Sequence, residues 1–223
     1  MSLSLEITIQ AAIFDFDGTL IDSSSGIQKA LSSAFESIGR TMPDADVRKV
    51  IGPPIGVIAK NLDASLTQDE ISSIERAYRS GYDSRYWLDT ALYPGVRETL
   101  NGLRDNGIRL FLATNKPAIP TAKIISHLGL TGLFESIVSR DSRIPAYSSK
   151  SELLGCLIEN YGLKKEHTLL VGDTQEDESA SQSNNLRFIF ANYGYGFLPS
   201  AELSIDQLDQ LTRLILILKD HEI

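Results

Sequence analysis

The sequence predicts an α/β protein: a parallel sheet covered by helices on both faces, with an all-helical insert after its first strand. Three observations carry this. From Tyr93 onward, short apolar runs alternate with stretches of helical period. Strands that alternate with helices imply a parallel sheet buried on both sides. Ala11 to Phe14 is a further apolar run that reads as a buried strand, and residues 21–91 carry helical patterns with no clear strand.

Residues 1–10 lead into the first strand. That strand delivers Asp15 and Asp17, and Gly18 then breaks the regular backbone. Side chains alternate along a strand, so the two carboxylates start on one side. At about 4 Å two such charges repel by roughly 4 kcal/mol at an effective dielectric near 20, which points to a cation beside them. Asp22 sits where a helix N-cap would, ahead of Ile27, Ala30, Leu31, Ala34, Phe35 and Ile38 at helical spacing, with Gly39 as the stop. Residues 44–63 read as two short helical pieces broken by Gly52-Pro53-Pro54. Thr67-Gln68-Asp69-Glu70 is a capping box for a helix carrying Ile71, Ile74, Tyr78 and Tyr82 on one stripe. About four helices are expected between 21 and 91.

Tyr93-Pro94-Gly95 marks the change of character. Val96, Leu100 and Leu103 give a helix ending near Asn106-Gly107, and 108–113 gives a strand. A helix over 117–128 has proline at its start, where a missing N–H does no harm. A short strand over 134–138 precedes a helix over 150–161 that Gly162 stops. Strands follow at 168–171 and 186–191, and an amphipathic helix over 203–218 closes the pattern.

The chain has 223 residues, of which 42% are hydrophobic, enough for one core and a second small one. Its net charge of −8 comes without a long basic run, which speaks against nucleic acid as a partner. No segment approaches the roughly 18 continuous apolar residues of a membrane span. The start lacks the basic-then-apolar signature of a secretory signal. A lone cysteine, Cys156, in an apolar helical pattern suggests a reducing compartment. A cytoplasmic protein without membrane contact is therefore expected, as monomer or homodimer.

Ligands of parallel sheets bind at the carboxyl ends of the strands. Those ends carry Asp15 and Asp17, Thr114-Asn115, Ser139-Arg140-Asp141 and Gly172-Asp173. Asp177 follows one turn later. Carboxylate oxygens suit Mg²⁺ better than zinc, and His127, His167 and His221 are too scattered to suggest otherwise. A calcium loop counted from Asp15 would need glycine and glutamate where Leu20 and Gly26 stand. An aspartate can attack phosphorus, a second can protonate the leaving oxygen, and Thr114 with Lys150 could bind phosphoryl oxygens. The insert, leaving the sheet directly after the acidic pair, is expected to sit over that edge as a lid.

These residues match a family. Asp15-Phe16-Asp17-Gly18-Thr19-Leu20-Ile21-Asp22-Ser23 resembles the first motif of the haloacid dehalogenase-like hydrolases. Thr114-Asn115 resembles the second motif, and Gly172-Asp173-Thr174-Gln175-Glu176-Asp177 the fourth. The insert resembles the helical cap of the phosphoglycolate phosphatase-like branch. The resemblance implies a Rossmann-like doubly wound core (1–20 and 92–223) with an inserted cap (21–91). It implies a Mg²⁺-dependent phosphatase of small phosphorylated metabolites, acting through an aspartyl-phosphate. Asp15 would be nucleophile and metal ligand. Asp17 would be general acid and base, with its backbone carbonyl on the metal. Thr114 and Asn115 would hold the phosphoryl group, Lys150 would neutralise charge, and Asp173 and Asp177 would serve the metal. The family's third-motif lysine is often followed by proline, whereas here Ser151 follows Lys150. A surface lysine stays open as the other reading, with Arg140 and Arg143 nearby.

Other members of the fold remain open: a sugar-phosphate mutase, a nucleotidase, a pyrophosphatase, or a phosphonatase using Lys49 or Lys60 as an imine. A phospho-aspartate signalling switch would use Asp141. The loop Tyr193-Gly194-Tyr195-Gly196 reads as structural. Arg48, Lys49 and Tyr86 are the expected readers of the leaving group, and the hinges are expected at 20–24 and 91–93.

Overall fold

A computed structural model describes residues 9–220. Its main sheet is built from β1 (Ala11–Phe14), β4 (Arg109–Thr114), β5 (Ser136–Ser139), β6 (Thr168–Gly172), β7 (Arg187–Ala191) and β8 (Ser204–Ile205). The spatial order is β5-β4-β1-β6-β7-β8, and each neighbouring pair is parallel. A separate antiparallel ribbon joins β2 (Ile21–Asp22) to β3 (Ala91–Leu92). The helices are α1 (Ser24–Glu36), α2 (Ile55–Leu62), α3 (Gln68–Ser84), α4 (Val96–Asp105), α5 (Ala118–His127), α6 (Lys150–Tyr161), α7 (Gln175–Asn184) and α8 (Gln210–Asp220).

The two-residue alternation of strands sorts the core. Ala12, Phe14, Leu110, Leu112, Leu169 and Val171 point to one face, against Val96 and Leu100 of α4, Ile124 of α5 and Leu211 of α8. Ala11, Ile13, Phe111, Ala113 and Leu170 point to the other, against Leu153, Leu154 and Leu157 of α6 and Ala180 of α7. Both faces are covered, which is why the strands read as unbroken apolar runs. The helices between β2 and β3 carry clusters of their own. Ile27, Leu31 and Val47 meet Ile58 and Tyr82, and Phe35 meets Ala59, Leu66, Ile71 and Ile74.

Several local expectations hold. Thr67 and Glu70 form the capping box of α3, α6 spans Lys150–Tyr161, and Gly162 ends it in the left-handed conformation. Others are corrected. The insert contains three α-helices and two short 3-10 turns, Val47–Lys49 and Tyr86–Leu88, together with the unforeseen β2. Ile38 lies beyond α1. Asp22 stands on β2, and Ser23 occupies the cap position. The Asp22 carboxylate still accepts the Ser24 N–H at 3.0 Å and the Ser24 hydroxyl at 2.6 Å, so it does the work of a cap from one residue upstream. Residues 203–209 are not helical; Ser204–Ile205 adds a sixth strand before α8 begins. The lead-in over 1–8 and His221 fall outside the described residues. No helix among the described residues is long and apolar enough to cross a membrane.

Leu112 is fully buried in β4 beside β1. Leu112→Ala is expected to lower unfolding free energy by about 2–5 kcal/mol with the denaturant slope unchanged. Urea titration followed by circular dichroism checks this.

Candidate active site

Three carboxylates meet at the carboxyl edge of the sheet. The Asp15 N–H donates to Val171 O at 2.9 Å, which extends the β1–β6 ladder one residue and sets Asp15 beside Gly172-Asp173. Gly18 then turns the chain at φ +86°, a conformation that favours glycine, and a Cβ there would lie 2.1 Å from Asp173 Oδ2. Asp173 is held by the Thr19 hydroxyl (3.1 Å) and the Tyr195 N–H (2.8 Å). Asp177 is the third residue of α7 and closes its capping box: Oδ2 accepts the Thr174 N–H (3.0 Å) and hydroxyl (2.6 Å). That leaves Oδ1 aimed inward. Oxygens of Asp15, Asp173 and Asp177 lie within 4.8 Å of one another, and all three residues are buried.

Lys150, the first residue of α6, reaches into this group. Its Nζ is 2.5 Å from Asp15 Oδ1 and also pairs with Asp177 Oδ1. Its side chain is only 3% exposed, which rules out a surface lysine. Arg143 instead pairs with Glu152 at the surface. Burial works against the Lys150 ammonium, but Asp15 and Asp177 prevail and raise its pKa, so it stays charged. Burial pushes the Asp15 carboxyl well above the usual range; Lys150 pulls it back, and Asp177 and Asp173 push it up again. Burial and then the charge of Asp177 raise Asp173 from 3.8 to about 7, against the hydrogen bonds from Tyr195 and Thr19.

With all three carboxyls ionised, the one ammonium would leave an excess of two negative charges, which a divalent cation would cancel. Asp177 Oδ1, buried, has an ion pair but no aligned hydrogen bond. Hard oxygen donors, close spacing and this under-used atom fit Mg²⁺. His127 is exposed and His167 sits at the sheet's far end, so neither joins the group.

Asp17 does not stay with Asp15. Its side chain turns to Ser23 Oγ (2.5 Å) and Lys116 Nζ (2.9 and 3.2 Å). It is therefore absent from the carboxylate cluster, although it was expected there through its backbone carbonyl rather than its side chain. Thr114 is buried and its Oγ1 accepts the Lys116 N–H at 3.1 Å. Asn115 Nδ2 donates to Glu176 at 3.0 Å. Asp15, Asp17, Thr114, Asn115, Lys150 and Asp177 all border one cavity of about 320 Å³, which residues of the insert also line.

Other expectations fail here. The insert side chains on the cavity include Ile55, Ile58, Tyr78, Arg79 and Tyr82, but not Arg48, Lys49 or Tyr86. Arg48 binds Asp22 (2.8 Å) and stacks over Tyr195. Lys60 Nζ donates to Ala64 O and Leu66 O, and Lys49 is exposed, so neither is placed to form an imine with a bound substrate. Asp141 is exposed and accepts the Ala118 N–H at the start of α5, away from the carboxylates. The loop 193–196 is part of the site rather than a plain turn: a Cβ on Gly194 would lie 2.3 Å from Asp173 Cβ, and Tyr195 borders the cavity. Sequence reasoning missed Ser23, Lys116, Tyr82 and Tyr195. Two of them carried a usable signal, because Lys116 follows Thr114-Asn115 directly and Tyr195 lies just beyond the end of β7.

The profile of the haloacid dehalogenase-like hydrolases matches residues 12–191. The tyrosine-protein kinase PtkA of Mycobacterium tuberculosis is 31% identical over 189 residues, 84% of this chain. The chain spans only 63% of that protein's length. A phosphoglycolate phosphatase of Rhodobacter capsulatus is 31% identical over 193 residues, covering 85% of this chain and 87% of that one. Among solved structures, a crystal structure described as a predicted phosphatase from Clostridium acetobutylicum superposes with TM-score 0.83 at 25% identity, over 94% of this chain and 99% of that one.

Asp173 keeps its proton to about pH 7 in the cation-free folded chain but only to about 3.8 when unfolded. Its folded pKa is raised, so its contribution to stability is fully present below about pH 4 and is lost as pH rises through about 7. With a chelator present, Asp173→Asn should show a smaller fall in melting temperature between pH 5.5 and 8 than the wild type. Thermal melts of both proteins at the two pH values measure this, and equal falls would contradict it.

Proposed function

The chain belongs to the haloacid dehalogenase-like hydrolases, and from that premise we propose that it is a Mg²⁺-dependent phosphatase of small phosphomonoesters. The single observation that carries this is the buried Lys150 ammonium between Asp15 and Asp177, with Asp173 beside them, at the floor of a cavity. Charge so arranged suits a phosphoryl group, whose oxygens need cations around them and whose phosphorus needs a carboxylate within reach.

Asp15 is the nucleophile. One of its oxygens attacks phosphorus while the bond from phosphorus to the ester oxygen breaks, and the proton of Asp17 goes to that departing oxygen. Water then attacks the phosphorus, passes a proton to Asp17, and releases phosphate from Asp15. Splitting the displacement in two makes each half easier. Lys150, with the Thr114 hydroxyl and the Asn115 amide, holds the phosphoryl oxygens. Asp15, Asp173 and Asp177, with the Asp17 carbonyl, would hold Mg²⁺. When bound it supplies positive charge that offsets the carboxylates and the phosphoryl oxygens.

The insert (21–91) acts as a cap on the core (1–20 and 92–223), and the β2–β3 ribbon is its hinge. Closure would keep bulk water from the acyl phosphate. The similarity to a phosphoglycolate phosphatase puts that ester at the head of a substrate panel.

Phosphate release from p-nitrophenyl phosphate and from phosphoglycolate should require Mg²⁺ and fall by about a thousandfold or more in Asp15→Asn. Equal rates in both proteins would refute the nucleophile. Transfer of label to protein tyrosine instead of water would align the chain with its relative named as a kinase. Limited proteolysis at 20–24 and 91–93 should slow when the phosphate analogue tungstate is bound with Mg²⁺; unchanged cleavage counts against the hinge.

A further inference from the structure

Lys116 has no part in the mechanism above, yet it is among the most buried charges of the chain. It is 9% exposed, on the loop between β4 and α5. Its Nζ lies 2.9 and 3.2 Å from the two oxygens of Asp17 and 2.9 Å from the Tyr82 hydroxyl. It also sits 4.6 Å from the centre of the Tyr82 ring. An ammonium has three N–H donors, and these three contacts use them. Lys116 is thus committed to protein groups, leaving no donor for a phosphoryl oxygen.

The two lysines divide three aspartates between them. Lys150 serves Asp15 and Asp177; Lys116 serves Asp17. Burial disfavours the Lys116 ammonium, but Asp17 and then Tyr82 outweigh it and its pKa is raised, so it is charged throughout the working range. The charged and titratable groups facing it are Asp17 from the β1 turn and Tyr82 from α3. Tyr82 is itself 3% exposed and stacks on Tyr78, which borders the cavity, with ring centres 5.5 Å apart.

We propose that Lys116 is a positioning residue for Asp17, and that Tyr82 ties it to the cap. This rests on the phosphatase reading above. The contacts in the structure, with both Asp17 oxygens accepting from Lys116 Nζ, are those of the carboxylate that remains on Asp17 once its proton has moved to the leaving oxygen as the ester bond breaks. Lys116 stabilises that charge as it forms and holds the carboxylate where it can take the proton of the attacking water. A fixed cation aimed at charge that develops only during the reaction favours the transition state over the bound substrate. Because the third N–H of Lys116 is satisfied by a tyrosine of the insert, Asp17 is fully braced only with the cap seated.

The test reads the leaving group. An ester whose alcohol departs easily needs little help from a proton, whereas a poor leaving group needs it fully. Lys116→Gln keeps a polar donor on a shorter stem and removes the charge. With Mg²⁺ present, kcat should fall at least about tenfold more on phenyl phosphate than on 2,4-dinitrophenyl phosphate, while KM stays within about threefold for both. Tyr82→Phe keeps both the ring and the ammonium and should move kcat in the same direction by a smaller factor. It also carries the test if Lys116→Gln does not fold. A loss equal on both esters, or confined to KM, would overturn the proposal and leave the phosphatase reading standing. A wild type inactive on every ester would overturn both.

Discussion

The structure depends on one buried ion cluster, Lys150 among Asp15, Asp173 and Asp177. At separations up to 4.8 Å, each pair of carboxylates repels by roughly 3 kcal/mol or more at an effective dielectric near 20. Taking charges out of water adds several kcal/mol per ion. Neither cost improves the fold. Replacing buried ions by well-packed apolar residues is often neutral or stabilising, so a cluster of this kind marks a site kept for chemistry rather than for stability. The placement of Lys150 fits this view. A cation at the first residue of a helix works against the helix dipole, and the attraction of two buried carboxylates outweighs it.

The fold supplies the positions. Parallel pairing of β1 with both β4 and β6 brings three strand ends to one edge. The capping box of α7 turns one oxygen of Asp177 outward to the backbone and the other inward to Lys150. Close approach at Gly18 and Gly194 lets the chain wrap Asp173 from two sides. Asp15 and Asp17, one residue apart, then enter different surroundings. One faces two carboxylates and a lysine; the other faces a serine and a second lysine. Distinct surroundings are what allow neighbouring acids to take distinct roles.

Legibility followed the range of the interaction. The main strands and most helices could be read because apolar period, capping boxes and glycine stops are local signals. Thr67 with Glu70, Gly162, and the run from Ala11 to Phe14 are of this kind. The ribbon β2–β3 and strand β8 could not be read, since two residues carry no period and exist as strands only through a partner far away in sequence. Lys116, Tyr82, Ser23 and Tyr195 are ordinary residue types in ordinary loops and helices. Their part in the site arises from contacts across 99 residues for Lys116 with Asp17 and 172 for Tyr195 with Ser23. Arg48 and Lys49 show the reverse error: of these basic residues of the insert that looked like substrate readers, Arg48 pairs with Asp22 and Lys49 stands exposed, and neither borders the cavity.

By itself, then, the order of residues determined the alternation of strand and helix, the acidic ends of β1 and β6, and the family to which those ends belong. All of these are written in spacing along the chain. Which oxygens face one another, which lysine serves which aspartate, and which insert residues wall the cavity were decided only by the tertiary structure. Those outcomes depend on strand register and helix packing, which bring together side chains that no local pattern connects.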